Sequence, residues 1–362
     1  MPKKIATLNA SFLVAGTSIG AGMLGLPVET SGGGFFPAIV FLLVNWIVLT
    51  GTALLFVEVL DKNRKNTNFI SLSEKLLGKE FKIITFIVYV TLFASLTLAY
   101  VKGGGVFISD IFDKIPVSLG CLIFLLIFSP LIILGSKYLG IGNSVLTTIM
   151  IIFFIVLISY GITSINTEFL THINWKFASL SIPMFITSFG FHSILPSLHS
   201  YLGNKKSLKC AVIIGTTITF SIYLVWELVV LGTIPLNGEH SLSAALLADQ
   251  TAISPLKYHL NSPLLSVSAQ IFYFTALTTS FLGIGLGLID FLLDSFSISQ
   301  KILNRLFLGI LIYLPAIWIA QTNLRIFYIS IKYGGGFACF YLLILLPILL
   351  FIRSNKPSKN FT

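Results

Sequence analysis

Long apolar runs follow one another along the chain, parted by short polar connections. A helix crossing the hydrocarbon core needs about 20 apolar residues. That length predicts ten spans at 7–29, 35–59, 83–109, 117–135, 140–165, 179–202, 208–234, 266–294, 302–320 and 326–352. Two connections are long enough to carry structure of their own. In 61–82, "ISLSEKLLG" has the pattern of a short amphipathic helix lying on the membrane face. In 235–265, "HSLSAALLADQ" predicts a short helix capped by serine, placed over an external vestibule. The rest of the chain forms a single transmembrane domain over 1–352, with a short cytoplasmic tail at 353–362.

Two of the ten runs are interrupted in the same manner. "TSIGAGMLGLP" occupies 17–27 and "TSFGFHSILPS" occupies 187–197. They fall in spans 1 and 6, the first of each group of five. Five spans per group bring the second group into the membrane from the opposite side. Inverted repeats, approximately 7–165 and 179–352, with discontinuous first helices are a transporter architecture whose substrate site lies at the breaks. Unpaired backbone groups are not tolerated in lipid, so an unwound stretch needs something else to satisfy it. A zwitterion does this: half-helix N-termini present N–H groups to a carboxylate, and freed carbonyls accept from an ammonium. Gly20 and Gly22 allow close approach of the ligand to the backbone, and Ala21 keeps the position between them small. The competing reading of Gly16, Gly20 and Ala21 is small-residue helix packing. The matching interruption in span 6 favours the unwound binding segment.

Composition agrees with the bilayer as solvent. Of 362 residues, 56% are apolar and 10% charged, and mean hydropathy is +0.96. Soluble proteins carry about 25% charged residues. The net charge of +10 forms no stripe or tail, which excludes a nucleic-acid partner. Lys and Arg fall 17 to 4 on the side of the N-terminus when successive spans alternate in direction. The positive-inside rule then places both termini in the cytoplasm. Cys121, Cys210 and Cys339 have no paired spacing, so neither a disulfide framework nor a metal site is expected. The apolar start after Lys3 and Lys4 continues past any cleavage site and reads as the first span. No cofactor and no obligate protein partner are expected; the partners are membrane lipid and a small solute.

At "GTSIGAGMLGLP" and "FGFHSILPSLHSYLG" the sequence resembles the tyrosine- and tryptophan-specific permeases of bacteria, within the amino acid–polyamine–organocation superfamily. "AYVKGGG" in span 3 and "SFLGIGLGLIDFLLD" in span 8 fit the same pattern. The resemblance implies an all-α integral membrane protein with the LeuT-type five-plus-five inverted fold. It implies proton-driven uptake of an aromatic amino acid across the bacterial inner membrane. Members usually have an eleventh helix outside the repeat, and transport without it is expected here. By position, Ile19, Gly20, Ala21 and Gly22 would bind the substrate carboxylate through backbone N–H groups. Phe189, Gly190 and Phe191 would offer carbonyls to the amine and an aromatic wall. Tyr100 would close the pocket, and Thr278, Thr279 and Ser280 would supply hydroxyls facing span 1.

Ionisable residues in a span are functional candidates. His192 lies at the second break, either as a group titrating with the transport cycle or as a neutral donor to a freed carbonyl. Lys102 and Glu227 lie at similar depth, where they can pair; Lys102 can alternatively occupy a cation site or snorkel outward. Asp290 and Asp294 end span 8 and are expected to be solvated. Sodium coupling through the Thr278–Ser280 hydroxyls is the alternative to protons. An intramembrane enzyme needs a nucleophile–base pair or a metal cluster at one face. A channel needs a ring of carbonyls or charges. Neither pattern is present.

Overall fold

The computed structural model describes residues 3–63, 69–112, 115–248, 250–260, 262–296, 298–299, 301–322 and 330–355. Of the basic residues counted above, Arg64, Lys65, Lys114, Arg325, Lys356 and Lys359 lie outside these, as do the side chains of Lys3, Lys137 and Lys332 and those of Ala21 and Asp294. All the regular structure among the described residues is helical. The first run gives α1 (Lys3–Ser18) and α2 (Ala21–Thr30). They are bent by 54° across residues 19 and 20. Then come α3 (Phe35–Lys62), the surface helix α4 (Phe69–Leu77), α5 (Lys79–Ile111), α6 (Val117–Ile133) and α7 (Ser136–Gly161). A connection holding the short α8 (Trp175–Ser179) leads to α9 (Ile182–Ser188), a 3₁₀ turn at His192–Ile194, and α10 (Leu195–Leu202). The second half continues with α11 (Lys205–Thr233), α12 (Leu242–Leu247), α13 (Ile253–His259), α14 (Pro263–Ser295) and α15 (Ile302–Thr322). It ends with α16 (Gly336–Ser354), which follows a π-helical turn at Ser330–Gly335 and contains another at Phe340–Leu345.

Among the described residues, seven helices are long and apolar enough to cross a membrane, and the bent pair α1–α2 makes eight. The other two expected runs form shorter pieces. The run at 117–135 gives α6, of 17 residues, ending where Pro130 removes a backbone donor from its last turn. The run at 179–202 is divided among α9, the 3₁₀ turn and α10. Both surface helices form as predicted. Ser241 accepts from Ala244 N at the start of α12, and α4 stacks Phe69 on Phe56 at 4.3 Å.

Small residues set how closely the helices approach. A β-carbon at Gly105 would overlap Cys121, one at Gly120 would overlap the Gly105 carbonyl, and one at Gly104 would overlap the Phe124 ring. Gly104 and Gly105 of α5 thus form the face on which α6 lies, a small-residue contact of the kind membrane helices use. Gly215 does the same for α11 against Ser11 and Val14 of α1. The turn before α3 needs Gly34, at φ +85°, because the His172 carbonyl sits where a side chain would begin.

Polar ties join helix ends. Buried Arg305 donates to Asp290 Oδ1 at 2.6 Å and to the Ile132 and Ile133 carbonyls at 3.0 and 3.1 Å. Asp290 is therefore paired, at 40% side-chain exposure, rather than simply solvated. Glu58 pairs with Lys205 and Lys209, joining α3 to the start of α11.

Candidate functional site

The gap between α1 and α2 opens onto a cavity of about 640 Å³. That size suits a small-molecule site. Its wall includes Gly16, Thr17, Ser18, Gly20 and Gly22 from the first broken run, and Thr187, Ser188, Gly190 and Ser193 from the second. Tyr100 of α5 and Thr279 and Ser280 of α14 add to the wall beside the first gap. Of the expected binding residues, the structure therefore brings Gly20, Gly22, Tyr100, Gly190, Thr279 and Ser280 to one cavity.

The chemistry of that wall begins with its backbone. Gly20 is the residue before α2, extended at φ −164°, and no side chain caps the helix start. The first turn of a helix has N–H groups without intrahelical partners. Here Met23 N bonds the Gly20 carbonyl at 3.0 Å. Four hydroxyls that line the cavity are committed as donors to their own helices. Thr17 donates to Leu13 O (2.7 Å), Ser188 to Met184 O (2.8 Å), Thr279 to Ala276 O (3.0 Å) and Ser280 to Ala276 O (2.9 Å). They face the cavity with acceptor lone pairs. The wall thus offers uncapped donors at one end of α2 and acceptor oxygens around it. Tyr100 reaches Ser280 by a hydrogen bond, so α5 and α14 meet beside Gly20.

The two glycines also serve packing. A β-carbon at Gly20 would overlap Ser280 Oγ, and one at Gly22 would come within 3.1 Å of Ser188 Oγ and 3.3 Å of Ser188 Cα. Close helix approach and access to the backbone are one requirement at these positions, not alternatives.

Other expected residues stand behind the wall. Ile19 is partly buried against the core. Phe189 and Phe191 are 1% and 0% exposed and face away from the cavity. Phe189 lies edge-on to Tyr223 at 5.3 Å, and Phe191 lies against the His192 ring at 4.6 Å. The Phe189 carbonyl accepts from Phe191 N at 2.9 Å. The aromatic part of the cavity wall comes instead from Phe12, Phe69, Tyr89, Phe93 and Tyr100. His192 is fully buried, with Nε2 3.2 Å from Thr52 Oγ1 and Nδ1 without a partner. Thr278 is buried with its hydroxyl unpartnered. Lys102 and Glu227 have separate partners. Lys102 Nζ donates to the Ala320 carbonyl in the last turn of α15, at 3.1 Å. Glu227 accepts from Thr30 Oγ1 at 2.9 Å, and its other oxygen has no partner.

One residue that the pattern of the sequence does not single out stands at both breaks. Tyr223 Oη lies 2.6 Å from the Ser18 carbonyl and 2.8 Å from the Ser188 carbonyl. Its neighbour one turn on, Trp226, donates from Nε1 to the Met23 carbonyl at 2.9 Å. In sequence both read as ordinary aromatic residues of an apolar run.

An all-helical bundle of membrane-length helices, with a cavity at the bend of its first run, fits the architecture of a membrane transport protein. The chain matches the tryptophan/tyrosine permease family over residues 3–362 and belongs to that family. It is 33% identical to tyrosine-specific transport system 1 of Haemophilus influenzae, over 98% of this chain and 90% of that protein. It is 28% identical to the tryptophan-specific transport protein of the same organism, over 92% of this chain and 84% of that one. Among solved structures, it shares its fold with MhsT, crystallised in complex with L-phenylalanine. The TM-score is 0.65 at 14% identity, with 97% of each chain covered. The relatives are permeases, so the protein is a transport protein and not an enzyme.

Proposed function

We propose that this permease imports tyrosine or tryptophan across the bacterial inner membrane by proton symport with alternating access. In this reading the chain makes ten spans of the LeuT-type inverted repeat. The pair α1–α2 and the pieces at 182–202 are its discontinuous first helices, and both termini are cytoplasmic. The observation that carries the reading is the uncapped start of α2 at Gly20, opening into a cavity of about 640 Å³ beside Ser188 and Gly190. The α-carboxylate sits on the α2 N–H groups of Gly20, Ala21 and Gly22, where the helix dipole also favours it. The side chain of the substrate lies toward Phe93 and Tyr100. His192 and Glu227 are the groups suited to carry the coupling proton. Each is fully buried and keeps one atom free of partners, so a proton can arrive without breaking a hydrogen bond. A second reading, sodium coupling, is favoured by Thr278, whose buried hydroxyl has an unused lone pair next to Thr279.

The test is uptake of labelled tyrosine and tryptophan into membrane vesicles, with pH and Na⁺ gradients imposed one at a time. Proton symport predicts accumulation with an inward pH gradient alone, and competition by aromatic amino acids among the twenty. Accumulation that needs Na⁺ selects the second reading. No uptake of any aromatic amino acid under either gradient overturns both.

A further inference from the structure

The two breaks end alike. Ser18 is the last residue of α1 and Ser188 the last of α9. A helix C-terminus leaves carbonyls without intrahelical donors and carries the negative end of the dipole. Two such ends approach one another here, and in lipid their carbonyls cannot be left bare. The donor given to both is the same hydroxyl, Tyr223 Oη, on a residue 0% exposed in the middle of α11. One proton therefore serves two acceptors from separate halves of the chain, 205 and 35 residues away in sequence. The ring is held edge-on by Phe189, so the hydroxyl has little freedom to leave. The same face of α11 continues to the rest of the first broken run. Trp226 holds the Met23 carbonyl in the first turn of α2, and Glu227 faces Thr30 at its far end.

We propose that Tyr223 is a positioning residue for substrate binding: its hydroxyl pins the end of α1 to the end of α9, fixing the registration of the Gly20 and Gly190 backbones that both line the site. Tyr223 touches no part of the cavity itself; Ser18, Gly20, Ser188 and Gly190 do. The tyrosine acts through them. This rests on the reading of the cavity as the substrate site.

Tyr223→Phe removes the hydroxyl and leaves the ring against Phe189. The expected result is a KM for labelled tyrosine raised about 10-fold or more, the equivalent of one lost buried hydrogen bond. Maximal rate and membrane level stay within about threefold of the parent. A merely structural role lowers the amount of folded protein and leaves KM where it was. The second variant carries 3-fluorotyrosine at position 223, which keeps the hydroxyl and makes it the stronger donor. Its KM is expected to equal or fall below that of the parent. If Tyr223→Phe does not accumulate in the membrane, the fluorinated protein decides: a KM raised tenfold despite the retained donor overturns the proposal. So does a Phe variant at parental level with unchanged KM. The parent protein is the arm that separates the two layers of inference. If it takes up no aromatic amino acid, the functional reading has failed. If it does and the Phe variant matches it, only the role of Tyr223 has.

Discussion

A methyl group at position 20 has no room unless Ser280 moves, because a β-carbon there would overlap Ser280 Oγ. The serine can turn away, but only by giving up its 2.9 Å bond to the Ala276 carbonyl. Gly20→Ala is expected to weaken tyrosine uptake about 10-fold, from the loss of one such bond. Gly20→Leu is expected to abolish uptake, since the larger side chain fills the mouth of α2. Membrane levels measured in parallel distinguish a blocked site from a missing protein, and uptake by Gly20→Leu at the parental rate would show that the site lies elsewhere. Gly34 poses a different problem at the same scale. Its φ of +85° with ψ 173° is a conformation almost reserved to glycine, and the His172 carbonyl stands where the side chain would start. Gly34→Ala is expected to cost about 2 kcal/mol or more, read as a lower melting temperature in detergent with unaltered KM for whatever protein remains folded.

At the scale of the element, the glycine run in α5 makes a prediction of its own. Gly105 and Gly120 let α5 and α6 approach until the backbone of one meets the side chain of the other. Gly120→Leu must separate them, and overpacking of this kind costs about 1–3 kcal/mol. Cys121 reports the change. It is buried in the parent, so a maleimide should modify it only in the variant, against a constant signal from exposed Cys210. No gain in Cys121 reactivity would mean that α6 does not lie on the glycine face. These elements also show what a sequence can and cannot carry. The bend after α1 and the division between α9 and α10 fall at the Gly- and Pro-containing stretches because Gly and Pro act locally, on the backbone that holds them. The shared Thr-Ser-x-Gly pattern pointed to both interruptions and to most of the glycine and hydroxyl wall. The direction of the Phe189 and Phe191 side chains was not legible, since a residue beside a helix end turns according to its tertiary neighbours. Tyr223 was invisible for the same reason. A tyrosine in an apolar run looks like packing until the carbonyls it meets, distant in the chain, are placed beside it.

Across the whole molecule the cavity is one-sided. Its wall takes residues 12–18 of α1 but nothing of α2 beyond Gly22, and it takes the first part of α7 and the later part of α14. In the proposed ten-span topology, all of these lie toward the face that would carry both chain ends. On the opposite side Met23, Leu24, Phe189 and Trp226 are buried. In the alternating-access mechanism proposed above, this conformation is the one open to the cytoplasm. Gly16 offers the probe. It lines the cavity, and a β-carbon there meets nothing within 4 Å. In a background with Cys210→Ser, Gly16→Cys is expected to react with a membrane-impermeant maleimide in inside-out vesicles and not in right-side-out ones. Met23→Cys, buried above the gap, is expected to stay unreactive from the inside. Saturating tyrosine should slow labelling of Gly16→Cys several-fold, because the bound amino acid both fills the cavity and shifts the protein among its states. Labelling from the outside alone would invert the orientation that the basic residues imply. Labelling from the inside that tyrosine leaves untouched would keep the orientation and remove the substrate from this cavity.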